Sequence, residues 1–322
     1  MKKLTKWMAF LLVLCFLLPC TAYAAELLVP VGQLIGLELG DDRVVVAAFD
    51  KVLGKAAEAS GLKVGDHITK INGKPISCAG DVGAALQASD GEVQVVVLRS
   101  GKVKELKLKP EITKDGPKLG VYLKQGITGV GTVTWYDPDT GRFGALGHGV
   151  NNQNGELLAL KTGKAYRAAV ASVVKGRVGT PGQLMGHMLS PEPIGTIEKN
   201  TDQGVFGQTT VGWIGEPLPV ADSKEIRAGK ATIRSNISGQ EVQEYSVEIL
   251  KIYPSGKQGG RNMLLKITDP QLLDATGGIV QGMSGSPIIQ DGKLIGAVTH
   301  VLVNSPDTGY GIFIENMLDA AA

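Results

Sequence analysis

The sequence predicts a mainly β fold in two parts, a small module followed by a larger barrel or sandwich region. Three observations predict it. The 322 residues include 44 glycines but only 5% aromatics, a turn-rich balance. Apolar runs are short and end in Gly, Pro, Asn or Asp clusters, and no long amphipathic helix separates them. With 43% hydrophobic residues, a chain of this length has enough apolar surface for two cores.

The first 24 residues read as an export signal (1–24). Lys2, Lys3 and Lys6 precede an apolar run from Trp7 to Pro19, and Ala22-Tyr23-Ala24 offers a small-residue cleavage site. The run is short for a spanning helix, so cleavage is expected rather than retention as an anchor. Removal would leave Cys78 as the one thiol, without a disulfide or a cysteine metal cluster. Thirty basic residues would then face 31 acidic ones, a balance that argues against a nucleic-acid surface.

The module is expected over residues 26–105. LIGLEL, RVVVAAF, HITKING and VQVVVLRSGKVKELKLK read as strands, and Asn72-Gly73 and Ser100-Gly101 as two-residue hairpin turns needing positive φ. A short helix is expected around Asp81 to Ala88. SGLKVGDHITKINGKPI (Ser60 to Ile76) resembles the signature of a PDZ domain of bacterial exported proteases. By that resemblance Leu34, Ile35, Gly36 and Leu37 form the peptide-binding loop. Its amides would hold a peptide C-terminus while the following strand edge pairs with an extended peptide.

After EITKDGPK the second region (110–322) contains GVGTVTWYD, RFGALGHGV, AAVASVV, KATIRS, YSVEILKIY and KLIGAVTHVLV, again strands between turns. Its most informative stretch is QGMSGSPIIQDGKLIGAVTH (Gln281 to His300). A reactive serine needs a sharp exposed turn, a base and amide donors for the oxyanion. The glycines around Ser284 supply the turn, and the N–H groups of Gly282 and Ser284 are the candidate oxyanion hole. Asp291-Gly292 then turns the chain into a hairpin. The stretch resembles the GDSGGP loop of trypsin-like proteases, with Met283 in the aspartate's place, so activation by a new N-terminal amine is not expected. Of four histidines, His148 in FGALGHGV lies 136 residues before Ser284, in the His-then-Ser order of a two-barrel protease, and is the candidate base.

Taken together, GALGHGV, QGMSGSPIIQDGKLIGAVTHVLVNSPDTGYGIFIENML and a preceding PDZ module resemble the stage IV sporulation protein B peptidase family. The resemblance implies a trypsin-like double β-barrel and a serine endopeptidase of endospore formers, acting between the forespore and mother-cell membranes. It further implies cleavage of itself and of a membrane-bound regulator of a metalloprotease, releasing sigma factor K processing. Ser284 and His148 match the family's catalytic pair.

Asp269, 15 residues before the serine, matches the family's third member. It also precedes Pro270 as a helix N-cap would, with Gly277 as a stop. Trypsin-like proteases draw that acid from between histidine and serine but well before the serine loop, where Asp202 and Asp222 lie. His300 falls at the wall of the specificity pocket or is a satisfied edge residue; His67 reads as a surface residue and His187 has no acidic neighbour. No metal ligand set is legible and no cofactor is expected. The rival to an enzyme is a non-catalytic PDZ adaptor on a protease-like barrel that positions another protease.

Overall fold

A computed structural model describes residues 26–152, 155–257 and 260–322; the export signal lies outside the described residues. The first strands are β1 (Leu27–Pro30), β2 (Leu34–Phe49), β3 (His67–Ile71), β4 (Lys74–Pro75), β5 (Val93–Arg99), β6 (Lys102–Leu108), β7 (Glu111–Thr113), β8 (Gly116–Lys118) and β9 (Val121–Tyr136). There follow β10 (Arg142–Ala145), β11 (Thr162–Val174), β12 (Gln183–Thr201) and β13 (Gly204–Thr209). Antiparallel pairing runs β9-β10-β13-β12-β11-β2 and returns from β2 to β9, closing a first barrel. Ile35, Leu37 and Leu39 of β2 fill it with Val133, Phe143 and Val205, while Leu34 faces the core of a second barrel. That alternation follows the two-residue period of a strand, and burial on both faces makes LIGL an almost unbroken apolar run.

The second barrel is closed in the order β15-β16-β17-β20-β19-β18. Its strands are β15 (Gly229–Ser238), β16 (Glu241–Lys257), β17 (Arg261–Ile267), β18 (Pro287–Gln290), β19 (Lys293–Leu302) and β20 (Ser305–Phe313); the short β14 (Leu218–Pro219) pairs with β1. Tyr245, Met263, Leu265, Ile288 and Phe313 pack its interior. The C-terminal helix (Ile314–Ala321) seats Ile314 and Met317 against Trp135 and Phe206 of the first barrel and Leu294 of the second.

The small module is inserted in the first barrel rather than strung before it. β2 and β9 are each 16 residues long; Leu34–Leu39 pairs with Ile127–Thr132 in the barrel, and Val44–Phe49 pairs with Val121–Gln125 in the module. Between them lie helices α1 (Lys55–Ala59) and α2 (Ala79–Gln87), with Val44, Val46, Ile68, Val93, Val95 and Leu86 in one core. The expected module boundary of 26–105 therefore shifts at both ends. Residues 27–40 belong to the barrel, and the module takes its last strand from Val121–Gln125.

The module's signature has a direct physical cause. Asp66 is fully buried; it accepts from Arg99 Nε at 2.6 Å and from the Lys63 amide at 2.8 Å, while Arg99 Nη2 donates to Gly61 O at 2.7 Å. Arg99 is itself partly exposed, but its removal would leave the buried Asp66 carboxylate without its charged partner. The three hairpin turns read from sequence carry the positive φ they require, at Asn72-Gly73 (48° and 76°), Ser100-Gly101 (48° and 74°) and Asp291-Gly292 (50° and 75°).

Candidate active site and peptide groove

Ser284 sits where the two barrels meet. Its loop is held from outside by the Leu184 amide donating to Gln281 O and the Gln281 amide donating to Gly182 O. Gly282 adopts φ 98° and Gly285 φ 97°, which turn the chain sharply on either side of the serine. Among the described residues, the N–H groups of Gly282 and Ser284 have no hydrogen-bond partner, as an oxyanion hole requires. Met283 is buried in the second barrel's core, so this position is apolar packing with no ionic switch. The Ser284 hydroxyl donates to Thr299 O at 2.8 Å.

His148 follows β10 through a strained corner. Leu146, a non-glycine, has φ 71°, and the Gly147 amide closes a three-residue turn on Ala145 O at 2.9 Å. Gly147 has φ 68°, and a Cβ there would meet Thr299 Cγ2 at 2.9 Å, so this loop and the strand after Ser284 lie in contact. His148 Nδ1 is 2.9 Å from Gly149 O. A carbonyl only accepts, so Nδ1 carries the proton and Nε2 keeps the lone pair of a base. Asn200 clamps the next residue, accepting from the Val150 amide and donating to Val150 O and Leu158 O, each at 2.9 Å.

One residue that the sequence does not single out ties the two loops together. Thr132 of β9, fully buried, donates its hydroxyl to Gly282 O at 2.7 Å and its amide to Ser284 O at 3.0 Å, and accepts from the Leu146 amide at 3.1 Å. Thr134 adds a hydroxyl to Gly285 O at 2.8 Å. Threonine on alternate positions of TVTW reads as ordinary β propensity, and only tertiary structure shows what those hydroxyls face.

The acids expected near the base are elsewhere. Asp269 caps α3 (Pro270–Thr276): Oδ1 accepts from the Leu272 amide at 3.0 Å, Oδ2 from the Ser246 amide at 3.3 Å, and Gly277 ends the helix at φ 73°. Both oxygens are engaged there, and among the described residues neither is hydrogen-bonded to His148. Asp269→Asn is expected to leave kcat/KM within a few fold of wild type, because asparagine caps nearly as well, whereas Asp269→Ala should cost about 1 kcal/mol in a denaturant melt. Asp202 lies exposed in the β12–β13 turn, and Asp222 caps the short 3-10 turn Ser223–Glu225 through the Lys224 amide. His187 is exposed on β12; His67 is half-buried, with Nδ1 lacking a partner.

His300, next to Thr299 on β19, places its ring 5.2 Å from that of His148, tilted 41°. Burial is the main reason both imidazoles are held below the ordinary 6.5; the Gly149 carbonyl opposes the effect for His148, while His148 and Arg261 deepen it for His300, to about 4. A base kept neutral in this way should give a kcat/KM that rises with pH through a midpoint below 6.5 and is level between about pH 7 and 8. A midpoint above 7 in a peptide assay would contradict it. In the unfolded chain both histidines bind protons more readily, so their stability contribution is complete above 6.5 and declines as pH falls from there, for His300 to about 4.

The peptide-binding role expected for Leu34, Ile35, Gly36 and Leu37 is not open to them. One edge of this segment pairs with β9 and the other with β11, leaving no edge for a peptide. The required features occur instead at the module's last strand. A cleft of about 530 Å³ lies between Val82, Gly83 and Leu86 of α2 and Leu119, Gly120 and Val121 at the start of β9. Gly120 has φ 65°, and among the described residues β9 pairs only with β2 over Val121–Gln125. The Asp50 amide donates to Gly120 O at 2.8 Å beside the Phe49–Val121 pair, so Val121 turns its own N–H and C=O away from β2.

Among the described residues, no helix is long and apolar enough to cross a membrane, and no group of three His, Cys, Asp or Glu is placed to hold a metal ion. The family profile SpoIVB peptidase S55 matches residues 115–318, and a PDZ domain profile matches residues 34–109, ending before the Leu119–Gly120 loop. No curated protein matches the chain. Among solved structures, the active form of the Rv3671c protease from M. tuberculosis is similar at 14% identity, covering 75% of this chain and 84% of that one, with a TM-score of 0.36. The PDZ domain of an SdrC-like protein from Listeria monocytogenes is similar at 23% identity over 26% of this chain and 87% of that one, with a TM-score of 0.22. The family profile spans well over half of the chain, on both sides of the His148 and Ser284 loops: the protein belongs to the SpoIVB peptidase S55 family of serine endopeptidases and carries a PDZ domain.

Proposed function

We propose that the protein is an exported endopeptidase of sporulation that cuts itself and a membrane-bound regulator of a metalloprotease, so triggering sigma factor K processing. Ser284 is the nucleophile and His148 the base. The observation that carries this reading is the pair of unengaged amides, Gly282 and Ser284, at a serine whose hydroxyl rests on Thr299 O, one residue before His300, whose ring lies 5.2 Å from that of the half-buried His148 with its Nδ1 2.9 Å from Gly149 O.

In the resting state the serine proton points to Thr299 O. For attack, the hydroxyl swings to His148 Nε2, which takes the proton as Oγ bonds to the peptide carbonyl carbon. The two amides receive the developing oxyanion, each such donor being worth roughly 3 to 4 kcal/mol. His148 then passes its proton to the leaving amine, and water repeats the sequence on the acyl-enzyme. The α2–β9 cleft receives the extended end of a protein, its chain pairing with the open edge at Val121.

A serine-directed phosphonate probe tests the reading on the purified protein. A single adduct on Ser284, lost on heat denaturation before labelling, is expected. Absence of labelling at pH 7.5 by a protein that melts cooperatively would favour the adaptor role instead. Cutting of the membrane regulator is read by co-incubating the two purified proteins and sequencing the fragments.

A further inference from the structure

The cleft beside α2 and the Ser284 loop lie along one strand, β9, and on the same side of it. Residues 121–125 and 127–132 both pair with β2, so the edge of β9 away from β2 runs from the module to the serine. At its far end Thr132 donates its amide to Ser284 O and accepts from the Leu146 amide, both away from β2. Backbone groups of an antiparallel strand alternate in direction, and the register is regular from Ile127 to Thr132, so Val130 and Thr128 also turn N–H and C=O outward. Among the described residues nothing pairs with them.

The near end is open in the same way. The Val46 amide donates to Asp66 O, so Val46 turns away from its partner Leu123, and Leu123 faces outward as Val121 does. Gly126, with φ 78°, marks the bulge at which the outward set changes from odd to even numbers, opposite residues 40–43 of β2. Gln125 Nε2 braces this junction, donating to Asp41 O and Ser77 O, each at 2.8 Å. Beyond it Thr128 and Gly129 are exposed, and a Cβ at Gly129 would meet nothing within 4 Å. Glycine inside a strand suits the close approach of another backbone.

We propose that this edge is a ruler: the protein captures the C-terminal tail of a substrate in the α2–β9 cleft, lays it along β9 as an added antiparallel strand, and cuts it at Ser284. The proposal rests on the Ser284 and His148 pair and on the cleft as the peptide site. The direction follows from the pairing. A carboxylate at the Leu119–Gly120 turn leaves an antiparallel chain to run from Val121 toward Val130, so the captured tail is the fragment released. Val121 and Val130 are nine residues apart, about 30 Å of strand. With the substrate's last residue opposite Val121 and the second residue after the cut opposite Val130, the tail removed is about ten to twelve residues long. Its last side chain is apolar, because Val82, Leu86, Leu119 and Leu123 line the cleft. The reaction remains hydrolysis of one peptide bond: the tail leaves as the amine with the proton from His148, and water releases the other half from Ser284.

The test uses the purified full chain and long synthetic peptides with free C-termini, with fragments read by mass spectrometry. The released C-terminal fragments are expected to cluster at about ten to twelve residues. Amidating the C-terminus of the best substrate should lower kcat/KM about 10-fold or more, as loss of a tethered second contact does. Inserting Gly-Gly between the cut bond and the end should move the cut toward the end by the inserted length. Thr128→Pro removes one outward N–H and leaves the β2 pairing in place. It should lower kcat/KM on the full-length peptide about 10-fold more than on one truncated just past the cut. Cutting of the same bond at the same rate with and without the insertion, or fragments of scattered length that amidation leaves unchanged, overturns the ruler. If the proline variant does not fold, the amidated and lengthened peptides, which leave the protein intact, decide the matter. A fluorescent tail peptide that fails to bind Ser284→Ala overturns the cleft as the peptide site, and wild-type protein that fails to label at Ser284 overturns the catalytic pair. Binding and labelling together with cuts indifferent to tail length overturn this inference alone.

Discussion

Ser284→Ala is expected to remove peptide cleavage, self-cleavage included, with a loss of about 10⁶-fold in kcat if the serine and histidine act as a unit. Stability should scarcely change. Among the described residues the hydroxyl bonds to Thr299 O, and the loop is held by backbone and by Thr132, none of which the substitution touches. Thr299 is largely buried, but its carbonyl loses only a side-chain donor, so a cost of about 1 kcal/mol is the expected ceiling. The measurement is cleavage of the purified variant next to a thermal melt. Fragments identical to wild type, appearing in a pure and folded alanine variant, would show that another group attacks.

The second large effect is expected at Gly285, immediately after Ser284, the proposed nucleophile. With φ 97°, a Cβ there would run into Thr132 O and come within 2.5 Å of the Leu146 amide. These are backbone atoms of the strand and corner that align both catalytic loops, and they cannot give way as a side-chain tip can. Gly285→Ala should therefore cost about 3 kcal/mol or more, through backbone strain and the opening of the barrel junction, and depress kcat at least 10²-fold. Gly292→Ala is the control. It has φ 75° but nothing within 4 Å of its Cβ, so only the conformational cost of about 1 kcal/mol applies. Equal melting temperatures for the two variants would mean that the Ser284 loop has more room than its neighbours imply.

Local features were legible in the sequence where local chemistry decides them. The Asn72-Gly73, Ser100-Gly101 and Asp291-Gly292 turns, the α3 cap at Asp269 with its Gly277 stop, and the glycine-framed Ser284 loop all depend on residues within a few positions of one another. The helix expected from Asp81 begins two residues earlier, at Ala79, because Asp81 reaches back to the Ser77 and Cys78 amides as the third residue of the helix. The PDZ resemblance was sound, but LIGLEL could not reveal that both its edges are used. That depends on β11 and β9, which lie some 90 to 130 residues further along the chain. For the same reason neither Thr132 nor the ring contact between His148 and His300 could be read from spacing. Asp269 showed the opposite difficulty: a motif position and a capping position coincide, and the hydrogen bonds show the capping contacts.

The shared strands have a consequence for how the chain folds. Leu39 must find Ile127 for the first barrel to close, and they are 88 residues apart. For a flexible loop of that length the closure entropy is about 4 kcal/mol. A folded module removes most of that cost, because it already holds Val44 against Gln125 and so delivers the two halves of the barrel hairpin in register. Barrel closure then extends an existing ladder rather than starting a new one, and damage to the module's core slows the assembly of a catalytic site to which that core contributes no side chain.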